Sequence, residues 1–212
     1  MKSSVNRPNC CSLGEWVMPK VIFVSGVAGT GKTTVSKHLH KYIPAVYLDK
    51  DTVGGKFSEN FLKATGYDPQ DRDSKYYKKH CRDLEYDVTM DLAMENATLG
   101  LDSILVGPFT KEIETAEWLD RKLAEFGLSR EEVTVKVLFV TLKDTELQKE
   151  RIIERGAMDR DQWKIDNWDE YEQSLDLPTV AWGIPESDIL VFDNSGELTE
   201  EKINNLVAFI ER

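Results

Sequence analysis

Short, continuously apolar runs alternate with longer segments whose apolar residues recur every three to four positions. The first, Val21-Ile-Phe-Val24, is unbroken, and the others are Ala45–Leu48, Asp102–Phe109 broken by Gly107 and Pro108, Val133–Leu142 with polar residues interspersed, and Ile189–Phe192. Continuous rather than alternating hydrophobicity predicts strands buried on both faces, as in a parallel sheet. Helical spacing predicts helices to about Tyr42, from Lys75 to Leu99, from Lys111 to Phe126, from Thr145 to Arg155 and from Thr199 to Glu211. In the second of these the stripe reads Tyr77, Cys81, Leu84, Val88, Leu92 and Leu99. Pro44 and Gly127 mark helix ends, and Asp144 is a candidate cap. Residues 52–66 carry only a short pattern around Gly54 and Gly55. Residues 156–184 show no simple periodicity, although Asp169–Leu175 could form one short helix. Strands alternating with helices imply an α/β fold with right-handed crossovers.

Residues 1–17 differ in character, being polar and irregular with adjacent Cys10 and Cys11. They are expected to be a poorly ordered extension, with Met18 as the natural start of one domain covering 18–212. Three cysteines without metal-ligand spacing point to a reduced, cytoplasmic protein. No apolar run approaches the ~20 residues that span a bilayer. A formal charge of -11 argues against a nucleic-acid backbone as the main partner.

Chemistry enters after the first strand, where Gly26-Val-Ala-Gly-Thr-Gly31-Lys32-Thr33-Thr34 fits G-x-x-x-x-G-K-[ST]. Glycines let the backbone wrap a triphosphate and turn N–H groups inward, and the next helix aims its positive end at the same anion. Gly26, Ala28, Gly29, Thr30, Gly31, Lys32, Thr33 and Thr34 are therefore candidate nucleotide-binding residues, with Lys32 on the outer phosphates and the Thr33 hydroxyl on Mg²⁺. Asp49 and Asp51 end the second strand. One acid could hold Mg²⁺ and the other accept a proton from a substrate hydroxyl, or both could cap a helix beginning near Thr52.

Arg151 and Arg155 lie one helical turn apart, with Arg160 beyond. They could neutralise charge in phosphoryl transfer, or pair with Glu150 and Glu154 on an ordinary surface. Trp163, Trp168, Tyr171 and Trp182 could bury this segment or line an acceptor pocket.

Together these motifs resemble the small P-loop kinases that include shikimate kinase, gluconate kinase, chloramphenicol phosphotransferase and the zeta-toxin kinases. The resemblance rests on Gly26–Thr34, Asp49 and Asp51, Gly107, and Arg151 with Arg155. It implies a P-loop NTPase three-layer sandwich with a five-stranded parallel sheet in the order 2-3-1-4-5. It also implies an acceptor-binding region at about 52–99 and a lid at about 151–184. Thr33 and Asp49 would be associated with Mg²⁺. Lys32, Asp51, Arg151 and Arg155 would act in transfer, Arg151 and Asp193 would also contact ATP, and Gly107 would present backbone to the acceptor. Unlike many P-loop proteins, the chain has Gly107-Pro108 rather than an acid after the third strand. The expected activity is ATP- and Mg²⁺-dependent transfer to a small molecule, most simply to a hydroxyl, by a monomer or homodimer. The alternatives are a polynucleotide 5′-hydroxyl kinase and a nucleotide-binding regulatory ATPase. Acceptor identity and the choice between ATP and GTP stay open.

Overall fold

β1 (Lys20–Ser25) is buried from Val21 onward, which requires neighbours on both edges and cover on both faces. A computed structural model, which describes residues 18–154, 158–173 and 175–212, supplies them. With β2 (Val46–Asp49), β3 (Ser103–Val106), β4 (Thr134–Thr141) and β5 (Ile189–Asp193) the sheet runs β2-β3-β1-β4-β5. Every pairing is parallel. The expected extension over 1–17 lies outside the described residues, as does Arg155.

The helices in chain order begin with α1 (Lys32–Leu39), α2 (Lys50–Ala64) and α3 (Lys75–Tyr77). A π-helical turn (Lys78–Arg82) leads into α4 (Asp83–Thr98), followed by α5 (Thr110–Glu114) and α6 (Trp118–Glu125). Then come α7 (Thr145–Glu154), α8 (Met158–Asp166), α9 (Trp168–Glu172) and α10 (Glu200–Glu211). Alternate residues of β1 feed opposite faces of the sheet. Val21 and Phe23 join Tyr86, Met90, Ile113, Leu119 and Trp182 on one side. Ile22 and Val24 join Val35, Leu39, Leu206 and Ile210 on the other.

Trp182 lies on Phe23 and stacks on Trp118, with ring centroids 4.9 and 5.8 Å away, and its indole N–H donates to the Glu112 carbonyl. Of the two roles open to Trp182, burial is the one the structure shows. Trp182→Ala is expected to cost about 3–5 kcal/mol, read as a lower urea midpoint.

Three local expectations change. First, α2 runs straight through Gly54 and Gly55. A Cβ on Gly54 would stand 2.7 Å from the Glu85 side chain, so glycine there lets α2 approach α4 closely. Second, Leu84, Val88 and Leu99 are exposed, and Tyr86, Met90, Ala93, Met94 and Ala97 face inward instead. The π turn winds fewer degrees per residue than an α-helix and so rotates everything after it. Third, the single helix expected over Lys111–Phe126 is two. The carbonyls of Glu112 and Ile113 accept from the Trp182 indole and the Ala181 N–H. The returning chain thus docks at the end of α5, where Glu112 also accepts from the Thr115 N–H as the backbone turns extended.

Candidate functional site

The connection from β1 runs toward the β2 edge and that from β4 toward the β5 edge, which opens a crevice over the carboxyl ends of the strands. There the structure has a cleft of about 1050 Å³. Its nucleotide side is the turn between β1 and α1. Gly31 has φ +92°, and a Cβ on it would overlap the Asn194 amide, so only glycine serves. The Lys32 ammonium donates to the Val27 carbonyl at 2.7 Å, which arches the side chain back over the loop. Ala28, Gly29, Gly31, Lys32, Thr33 and Thr34 line the cleft. Gly26 and Thr30 do not: Gly26 packs on the Val140 carbonyl, and the buried Thr30 hydroxyl donates to the Val27 carbonyl.

Three side chains clasp this loop. The Gln148 amide donates to the Ala28 carbonyl at 2.7 Å, the Tyr171 hydroxyl accepts from the Ala28 N–H at 3.2 Å, and the Asn194 amide donates to the Thr30 carbonyl at 2.9 Å. Tyr171 packs with Ile152, Trp168 and Ala28, so α7 and α9 sit directly against the loop. Arg151, one helical turn after Gln148 on α7, lines the cleft, as do Asn194 and Gly196. Asp193 does not. Hydrogen bonds from Ser195 and Lys143 hold its carboxylate down to about 2, and it shapes the loop that aims Asn194. Trp163 is exposed on α8.

Across the cleft, Asp49 and Asp51 sit at the junction of β2 and α2. Asp49 caps α2, its Oδ1 accepting from the Asp51 N–H at 3.0 Å. The Asp51 carboxylate takes a 2.6 Å bond from Lys50, which also donates at 3.0 Å to the buried Glu85. Glu85 in turn accepts from the Tyr77 hydroxyl at 2.7 Å. Burial alone would discharge Lys50, but the surrounding Tyr86, Asp51, Tyr77 and Glu85 oxygens outweigh it and raise its pKa. Lys50 therefore stays cationic and fixes Asp51 at the cleft wall. Burial pushes the Tyr86 phenol up to about 12, so it stays protonated near neutral pH.

Gly107 and Pro108 form the floor between the two sides. Phe109 follows with φ 48°, left-handed for a residue with a Cβ. It is held there by edge-to-face contacts with Phe23 and Tyr86, and the strain sets the direction of the Gly107-Pro108 backbone. Gln148, Asn194, Lys50 and Glu85 escape sequence reading because their partners are distant in the chain. The one available signal is Gln148, three residues before Arg151 on the same helix face.

Known proteins resemble this chain in sequence and in fold. A family model described as an AAA domain matches residues 21–178. A cytidylate kinase of Pyrococcus abyssi is 30% identical over 141 residues, which span 63% of this chain and 75% of that protein. Among solved structures, one from Chloroflexus aurantiacus superposes with a TM-score of 0.65 at 19% identity, covering 92% of this chain and 94% of that one. A gluconokinase from Sinorhizobium meliloti does so at 0.51 and 14%, covering 92% and 93%. These distant structures share the fold.

Proposed function

Because the chain belongs to the AAA domain family, within the small P-loop kinases, we propose that it transfers the γ-phosphoryl group of ATP to a small-molecule acceptor, most simply to a hydroxyl. The observation that carries the reading is the placement of Asp51 and the Gly29–Thr34 loop on opposite walls of one cleft. A hydrolytic switch has no use for a fixed carboxylate on the acceptor wall.

In this reading the loop N–H groups and Lys32 hold the β- and γ-phosphates, and Arg151 faces the same phosphates from α7. Asp51, held by Lys50, accepts the acceptor's hydroxyl hydrogen. The acceptor oxygen bonds to the γ-phosphorus as the bond to the bridging oxygen breaks, and ADP departs with that electron pair. The hydroxyl proton passes to Asp51. Among the described residues no three His, Cys, Asp or Glu side chains converge as a metal cage. Thr33 and Asp49 nevertheless both line the cleft, and such a sparse oxygen set suits Mg²⁺, which keeps several waters. Thr33 and the Asp49 oxygen not used as the helix cap would hold it, and it would offset phosphate charge. Arg155 is proposed to join Arg151.

The cytidylate kinase relative favours a second reading, in which the attacking oxygen belongs to a nucleoside monophosphate. A screen for ADP release over hydroxyl compounds, nucleoside monophosphates and 5′-hydroxyl oligonucleotides, with Lys32→Ala as blank, tests both. Release with none of them, despite ATP binding, would favour a regulatory ATPase.

A further inference from the structure

Beyond Asp51, the acceptor wall of the cleft is lined by Arg72, Lys78 and Arg82, together with Tyr77, Tyr86 and Asp73. Three cations on one wall are unexpected in a chain with 38 acidic and 27 basic residues. Two of them are built in rather than solvated. Arg82 spreads over the Tyr86 ring, 4.2 Å from its centroid, and Glu112 grips both of its terminal nitrogens from behind. Asp83 takes one more hydrogen, so of the five guanidinium N–H donors Nε–H and one on Nη2 remain. Arg72 lies over Tyr77, its side chain only 7% exposed. It donates to the Pro69 and Asp71 carbonyls and to Glu59, yet its buried Nε has no partner. A buried guanidinium with an unmade hydrogen bond is costly unless something supplies the acceptor.

The π turn explains how the file is assembled. In a regular α-helix, residues four apart drift around the axis. The wide turn over Lys78–Arg82 under-winds and cancels part of that drift, so Lys78, Arg82 and Tyr86 all reach the cleft. The exposed Lys78 ammonium makes no hydrogen bond or ion pair with the described residues, while its backbone N–H donates to the Ser74 carbonyl. Lys50 is different, because its charge is spent on Asp51 and Glu85.

We propose that the acceptor is an anion, a phosphomonoester or a carboxylate, seated on Arg82 and Lys78 beside Arg72. The inference rests on the kinase reading for its site but not for its test. Backing by Glu112 and Glu59 leaves this wall without a strong net positive field, so recognition comes from directed N–H groups. Planar oxyanions suit such groups, and neutral analogues leave them unpaired.

The test uses the full-length protein saturated with AMPPNP and Mg²⁺, so that the phosphate loop is filled. Calorimetric titration compares CMP, AMP and gluconate with cytidine, adenosine and glucose. At least one anion is expected to bind roughly tenfold or more tighter than its neutral counterpart. Lys78→Gln, at an exposed position that leaves the fold intact, is expected to remove roughly tenfold of that preference and Arg82→Gln more. Binding of the monophosphates alone identifies a phosphate, and binding of gluconate alone a carboxylate; either supports the proposal. It is overturned if neutral compounds bind as tightly, if Lys78→Gln leaves anion affinity unchanged, or if none of these anions binds. Failure of the kinase reading looks different: anions bind, but ATP yields no ADP with any of them.

Discussion

Lys32→Ala is expected to lower phosphoryl transfer by about 10²–10³-fold, the usual cost of removing one preorganised donor from a developing negative charge. The ammonium donates to the Val27 carbonyl at 2.7 Å, and Lys32 sits partly exposed at the first turn of α1. It belongs to neither face of the packed core. The melting temperature should therefore hold within the range of a surface change, about 0.5 kcal/mol. Steady-state ADP release at saturating acceptor, beside a thermal melt, makes the comparison. A large fall in rate with an unchanged melt is the expected pair, and an unchanged rate would remove Lys32 from the phosphate site.

Asp51→Asn separates binding from transfer. The amide keeps the size of the side chain, and Lys50 keeps the buried Glu85 as its counter-charge, so α2 stays docked. The amide oxygen can still orient a hydroxyl but cannot take its proton. Transfer to a hydroxyl should fall by about 10²–10⁴-fold, the usual share of a general base, while calorimetry shows ATP affinity unchanged. Transfer at the wild-type rate would strip Asp51 of that role. A small loss confined to monophosphate acceptors would favour the second reading, because a phosphate oxygen needs no base.

The phosphate loop is readable in the chain because its chemistry demands residue types at fixed offsets, and the central strand β1 because burial on both faces leaves no room for alternation. What escapes is set by contacts between distant segments. α2 hides behind two glycines, one of which is there for Glu85. The inward face of α4 is set by a π turn that periodicity does not register, so Leu84 and Val88 read as core and are not. Asn194 holds the loop while its neighbour Asp193, chemically the more conspicuous, serves Ser195 and Lys143. Lys50 reads as a spacer between two acids, and only its burial against Glu85 shows it as the post that positions one of them.

The clasp on Ala28 bears on timing. Its carbonyl and its N–H are both held by the arm that carries Arg151, through Gln148 and Tyr171. The arm cannot swing while the loop stays still unless two hydrogen bonds break, at about 1 kcal/mol each. If the loop wraps a triphosphate as proposed, any shift of Ala28 would be passed to the segment that carries Arg151. Under that proposal, a nucleotide that fails to reshape the loop would leave the arginine in place, a mechanical check that precedes the chemistry.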